Sequence, residues 1–172
     1  MSNALEKAGQ SANTQIERRV NEPWQDAEWQ RLWLAVERHK WRSLGLVPAG
    51  AGAPEDLTLL IAMTLSRTGM VHIGTPLQVA DATNVSLSQL TAFCDEVRRC
   101  TDTGQRLLVA LPPMGGNAVA ASIGQTLDAT VLCVLTGKMN SGDAKQTIKI
   151  LGRSRFIGSA IFHPHSFSPS AM

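Results

Sequence analysis

Hydrophobic and polar positions in this chain alternate between short apolar runs and longer amphipathic segments. The apolar runs are four to seven residues long and predict buried strands at 43–47, 70–73, 106–111, 130–135 and 156–162. The segments between them repeat apolar residues at intervals of three and four, which predicts helices. Buried strands that alternate with helices are typical of a mainly parallel sheet. We therefore predict an α/β fold, with about five or more strands and helices on both faces.

Residues that suit helix termini set the expected helix limits. Trp29, Trp33 and Val36 share one face of a first helix. Pro54 suits the first position of a second helix, and Gly69 suits its C-terminal end. The remaining predicted helices follow a Ser-x-x-Gln capping box at 86–89 and occupy 119–127 and 141–151.

The composition narrows the class of protein. We expect a flexible polar arm at 1–22, one α/β domain at 23–163 and a disordered tail at 164–172. A net charge of +2 gives no strong field for nucleic acid. No stretch of about 18 apolar residues is present to span a membrane, and there is no secretory signal, so we expect a cytoplasmic protein.

Three cysteines, Cys94, Cys100 and Cys133, are an odd number without Cys-x-x-Cys spacing. We therefore expect them to pack in the core rather than to form a disulfide framework or bind a metal. No metal or cofactor is expected elsewhere.

The loops that follow the strands are the places to look for a site, because parallel α/β sheets bind ligands at the carboxyl ends of their strands. The first such loop lies between a strand and a helix, where a phosphate-binding loop would end in Gly-Lys-Ser/Thr. Here the corresponding residues are Gly52, Ala53 and Pro54, which follow Gly50. The lysine charge and the magnesium-binding hydroxyl are both missing. Glu55 and Asp56 add two carboxylates to the expected first turn of the helix, where they disfavour an anion.

A dinucleotide-binding loop is a weaker interpretation of the same glycines. Gly50-x-Gly52 is followed by Glu55 instead of a third glycine. No acidic residue ends the second predicted strand, 70–73, where one would bind the ribose. NAD and FAD are therefore not expected.

The order of these motifs resembles the cytoplasmic domain of bacterial tyrosine autokinases of exopolysaccharide synthesis, in the wider MinD/ParA-like group of P-loop ATPases. The resemblance covers about residues 24–163. Glu28 and Arg31 match a Glu-x-x-Arg-x-x-Arg motif in which Leu34 replaces the last arginine. The family's Val-Asp-Thr-Pro-Pro segment falls on 109–113, and Ala110 replaces its aspartate while Pro112 and Pro113 match. Its Ile-Asp-x-Asp motif falls near 73–76, where no carboxylate stands, and its aspartate before a later strand matches Asp128.

The resemblance implies a P-loop NTPase-like domain whose chemical residues are lost. The chain also contains no tyrosine, so it offers no residue for tyrosine autophosphorylation. We expect a non-catalytic, pseudokinase-like regulatory or scaffolding protein in exopolysaccharide synthesis or export. Its expected partner is a membrane polysaccharide copolymerase or export protein, which would recruit it to the inner membrane.

Two alternatives stay open at this point. One is a nucleotide-binding switch or ATPase that holds phosphate with Lys138 or Arg153. The other is an assembly module that self-associates through the helix at 25–40, with Glu28, Trp29, Arg31 and Trp33 as its interface. In that case the tryptophans would form an exposed stripe, whereas packing against the sheet is their simpler role.

Overall fold

Strands and helices alternate along residues 26–75 and 77–164, which are the residues that the computed structural model describes. The strands are β1 Ser43–Pro48, β2 Gln78–Asp81, β3 Leu107–Ala110, β4 Ala129–Leu135 and β5 Phe156–Phe162. The α-helices are α1 Ala27–Glu37, α2 Leu57–Ile73, α3 Leu90–Asp102, α4 Ala118–Thr126 and α5 Ser141–Leu151, with 3-10 turns at Leu87–Gln89 and Arg153–Arg155. The predicted arm at 1–22 and almost all of the predicted tail lie outside the described residues.

The five strands form one parallel sheet in the order β2-β3-β1-β4-β5. This confirms the predicted α/β fold. Strand β1 is central, and Leu46 pairs with Ala110 of β3 on one side and with Val131 of β4 on the other. Strands β2 and β3 lie on one side of β1, and β4 and β5 lie on the other. The loop that follows β1 therefore opens at the switch point of the strand order, which is where such sheets bind ligands.

Two apolar layers cover the sheet. Helices α1 and α2 pack Trp33 and Ile61 against Leu46 on one face, and α3, α4 and α5 cover Val47 and Leu132 on the other. Since β1 is buried at every position, it has the continuous apolar pattern of a strand covered on both sides. No helix in the described ranges is long and apolar enough to cross a membrane.

The three cysteines pack in these layers, as predicted. Cys133 is completely buried, and burial raises the pKa of its thiol to about 12. Cys94 and Cys100 are at most 9% exposed. A thiol with so high a pKa is not a nucleophile at neutral pH, so the core position of Cys133 is structural.

The second helix is longer than predicted. Gly69 lies inside α2 and does not end it. A methyl group added at Gly69 would lie 2.6 Å from Leu77 and 2.7 Å from the Trp33 ring. The glycine instead allows the α1 tryptophan to pack closely against α2. The helix ends at Gly74, whose φ of 73° is the left-handed cap that favours glycine.

The prediction of a strand at 70–73 was wrong for the same reason, since these residues are the last turn of α2. Val71 is 69% exposed, and His72 is exposed rather than buried in a strand. The second strand is β2, Gln78–Asp81, at one edge of the sheet. An acidic residue therefore does end the second strand, contrary to the expectation from the sequence.

Candidate functional site

The loop between β1 and α2 lies where a phosphate-binding loop would be. The loop begins at Ala49, whose N–H donates to the Cys133 carbonyl at 2.8 Å. Helix α2 starts at Leu57, three residues later than predicted, after a turn in which the Leu57 N–H donates to the Pro54 carbonyl. Glu55 and Asp56 are therefore exposed residues of that turn, directly before the helix, and not part of its first turn.

No cationic side chain is supplied by this loop. The sequence from 49 to 66 contains neither lysine nor arginine. Ala53 is half-buried and Pro54 is exposed at the positions expected for the lysine and the hydroxyl. The first hydroxyl of α2, on Thr58, is only 2% exposed and donates to the Leu111 carbonyl at 2.9 Å. The Thr58 hydroxyl therefore connects α2 to the residue that follows β3, and its proton is not available to a ligand.

The end of β3 is equally inert. Ala110 is fully buried and belongs to the apolar layer beneath α1 and α2. It pairs with Leu46 on one side and with Asp81 on the other. Pro112 and Pro113 follow in a half-buried turn. The position that the resemblance assigns to a catalytic aspartate thus has a methyl group as its side chain and no carboxylate.

Asp81 is a carboxylate at this edge that the sequence did not reveal. It is exposed at the end of β2, next to Ala110. Its Oδ1 accepts from the Thr83 N–H at 2.9 Å and from the Thr83 hydroxyl at 2.6 Å. The available signal was Val79-Ala80-Asp81, a short β-prone run ending in an acid. Asp81 stabilises its own turn, and no acidic partner stands at position 110.

The connection from β4 to α5 borders the loop on its other side. Lys138 is exposed in this connection, and its backbone carbonyl lies against Gly52. Arg153 belongs to the turn before β5, at the amino end of the sheet. Arg153 therefore cannot contact a phosphate bound at the β1–α2 loop, because the two lie at opposite ends of the strands.

The outer surface of α1 gives a mixed result for the expected interface. Glu28 and Arg31 are exposed. Trp33 is 1% exposed, and Trp29 is 8% exposed with its ring 5.6 Å from that of Phe162. The two tryptophans pack against the sheet, so an exposed tryptophan stripe is excluded. A groove of about 330 Å³ remains between α1 and β5, bordered by Glu28 and Arg31.

Asp128, which the resemblance matched before a later strand, has a structural role at the amino end of the sheet. Its Oδ2 accepts the N–H groups of Arg42 and Ser43 at 2.8 and 2.9 Å. In return, the Asp128 N–H donates to the Ser43 hydroxyl at 3.0 Å. This reciprocal pairing aligns β1 with β4 and lies far from the loop. Within the described ranges, no group of three or more His, Cys, Asp and Glu side chains is placed to hold a metal.

Comparison with known proteins supports the fold. No protein-family model and no curated protein match this sequence. Among solved structures, the chain is similar to one described as "BceF Tyrosine Kinase Domain". The TM-score is 0.54 at 16% identity, over 77% of this chain and 73% of that chain. At this identity the similarity establishes the architecture alone, an α/β domain with a parallel sheet between layers of helices.

Proposed function

We propose that this chain is a non-catalytic protein on a P-loop kinase-like fold, acting as a regulatory or scaffolding subunit. One observation carries the proposal: the β1–α2 loop offers neither cation nor hydroxyl to a phosphate and ends in two exposed carboxylates, Glu55 and Asp56. Phosphoryl transfer depends on positioning and charge neutralisation by such groups. Without them the loop has no means of holding Mg-ATP.

The electrostatic balance supports the same conclusion. Two like charges about 4 Å apart repel by about 4 kcal/mol at the effective dielectric of a protein surface, before salt screening. A triphosphate at this loop would meet Glu55 and Asp56 without a lysine to offset them. Pro54 also removes one backbone N–H from the donors that normally surround a phosphate.

The catalytic residues of the resembled autokinases are missing as well. Ala110 has no side-chain oxygen to bind magnesium or to accept a proton, and Asp81 beside it has no acidic partner at that position. The absence of tyrosine from the chain removes the autophosphorylation target. These losses are independent of each other, and all of them favour a protein that binds rather than catalyses.

The pathway and the partner follow from the family resemblance. We propose a role in exopolysaccharide synthesis or export, with a membrane polysaccharide copolymerase or export protein as partner. The protein would be cytoplasmic and recruited to the inner membrane by that partner. Glu28 and Arg31, which are exposed on α1, are the residues we assign to a protein interface, including one between copies of this chain.

Calorimetry with Mg-ATP, Mg-ADP and Mg-GTP at millimolar concentration tests the proposal. We expect no saturable heat, and no rise of the melting temperature, since a ligand at 100 times its Kd would stabilise the fold by about 2.7 kcal/mol. The contrary result is ATP hydrolysis that copurifies with the chain and disappears in the Asp81→Asn variant. Because both proteins are expressed and purified in the same way, the comparison separates intrinsic activity from contamination.

A nucleotide-binding switch is the second candidate, and the position of Lys138 next to the loop favours it. Nucleotide heat in the unmodified chain that is lost in Lys138→Ala would support this candidate. Lys145→Ala, an exposed lysine on α5, is the matched control. Heat that is unchanged by both substitutions would assign the binding to another surface.

A further inference from the structure

The β1–α2 loop is in unusually close contact with the connection that leads into α5. A methyl group on Gly50 would lie 2.7 Å from the Cβ and from Oδ2 of Asp143. A methyl group on Gly52 would collide with the backbone carbonyl of Lys138. Neither glycine has a positive φ. Both are therefore required here by close packing and not by a left-handed backbone.

The first two turns of α5 are held firmly in this position. The Asp143 N–H donates to the Asn140 side-chain oxygen at 2.8 Å, and the Asn140 side-chain N–H donates back to the Asp143 Oδ2 at 2.9 Å. One turn later, the buried Thr147 hydroxyl donates to the Ala49 carbonyl at 3.3 Å. The start of α5 is thus attached to the start of the loop.

Little space is left between these elements. A cavity of about 60 Å³ lies between Gly50, Gly115 and Asp143. A cavity of this size holds a few waters and is far smaller than a nucleotide site. The groups around it include the half-buried carboxylate of Asp143, which adds a third negative charge next to a loop that already carries Glu55 and Asp56.

We propose that residues 136–147 form a brace that closes the β1–α2 loop against phosphate, with Asp143 as its blocking residue. The brace consists of the connection that precedes α5 and the first two turns of α5. This brace acts independently of the missing lysine. The inference rests on the proposed function and describes how the same site is kept empty. It predicts that restoring the lysine and the hydroxyl is not sufficient to restore anion binding.

A graft tests this prediction. Ala53→Lys and Pro54→Thr together restore the two missing groups, and magnesium pyrophosphate is the probe in calorimetry. We expect the graft with Asp143→Ala to bind pyrophosphate about tenfold or more tighter than the graft alone. Asp95→Ala in the graft, which removes an exposed acid on α3, should leave the affinity unchanged. Equal affinity with and without Asp143 overturns the brace, and so does an absence of binding in all folded grafts.

The contact itself is tested by a thermal double-mutant cycle. Gly50→Ala should lower the melting temperature of the natural chain, and at least half of that loss should disappear when Asp143→Gly is present. An equal loss in both backgrounds contradicts the packing role of Asp143. These outcomes are distinguishable from failure of the proposed function, which would show as Mg-ATP binding by the unmodified chain.

Discussion

Thr130 is a polar residue buried in the middle of the sheet. It is fully buried on β4, and its hydroxyl has no hydrogen-bond partner among residues 26–75 and 77–164. Its Cγ2 would lie 3.3 Å from a methyl group placed on Gly45 of the neighbouring strand, so the site is tightly packed on that side. A buried hydroxyl without a partner costs about 1–3 kcal/mol of desolvation that folding does not recover.

We therefore expect Thr130→Val to raise the free energy of unfolding by about 1 kcal/mol, since valine keeps the branched shape and removes the unpaired hydroxyl. Urea denaturation measures the change. Thr58→Val is the matched control, because the Thr58 hydroxyl donates to Leu111, and it should lower stability by about 1 kcal/mol. If both substitutions lower stability alike, the Thr130 hydroxyl has a partner after all.

At the scale of elements, the close crossing of α1 over α2 depends on Gly69. In an exposed helix, replacing glycine by alanine would raise the free energy of unfolding by up to about 1 kcal/mol. At Gly69 the new methyl group would lie within 2.8 Å of Trp33 and Leu77. Overpacking of this kind costs about 1–3 kcal/mol, which exceeds the gain in helix propensity.

Gly69→Ala should therefore lower the free energy of unfolding by about 1–2 kcal/mol, measured by chemical denaturation. Gly158→Ala on β5 is the control, because no described atom lies within 4 Å of a methyl group there, and it should not lower stability. A neutral Gly69→Ala would show that α1 is free to shift outward.

The same elements show what the sequence could predict. Strands β1, β3, β4 and β5 were located because nearly every position in them is apolar or small, although β5 lies at an edge of the sheet and is partly exposed. Strand β2 was missed, since it has four residues, begins and ends with an exposed polar residue and pairs on one side only. The apolar run at 70–73 was misassigned because local pattern does not show which apolar residues the fold leaves exposed.

The candidate site was predictable in the same partial way. The loss of the lysine and of the aspartate at Ala110 is visible in the sequence, because both belong to short motifs next to strong strands. The position of Asp81 depended on finding β2. The contact between Gly50 and Asp143 joins residues 93 positions apart and requires the packing of α5 on the sheet, which no local pattern contains.

For the molecule as a whole, the two ends of the sheet have different roles. At the amino end, Asp128 ties β1 to β4 through three hydrogen bonds and stabilises the central strands. At the carboxyl end, the β1–α2 loop packs closely against the connection that leads into α5. The β1–α2 loop is therefore a poor place for a phosphate, which agrees with the proposed role as a non-catalytic subunit.

Assembly through α1 can be separated from folding because the core and surface residues of this helix are adjacent in sequence. Trp33 is 1% exposed and contacts Gly69, so Trp33→Ala should lower the free energy of unfolding by about 3–5 kcal/mol. That is a large part of the 5–15 kcal/mol that typically stabilises a domain. If Trp33→Ala had a smaller mass in light scattering, unfolding of the chain and loss of the α1 contact would explain the result equally well.

Arg31→Ala is the informative substitution, because Arg31 is exposed and its loss should change stability by less than about 0.5 kcal/mol. If copies of the chain associate through α1, this variant has a lower mass in light scattering and an unchanged melting temperature. Lys149→Ala, an exposed cation in the last turn of α5, should leave both values unchanged. An equal mass for the natural chain and Arg31→Ala would contradict self-association through Arg31 and leave that surface to a different partner.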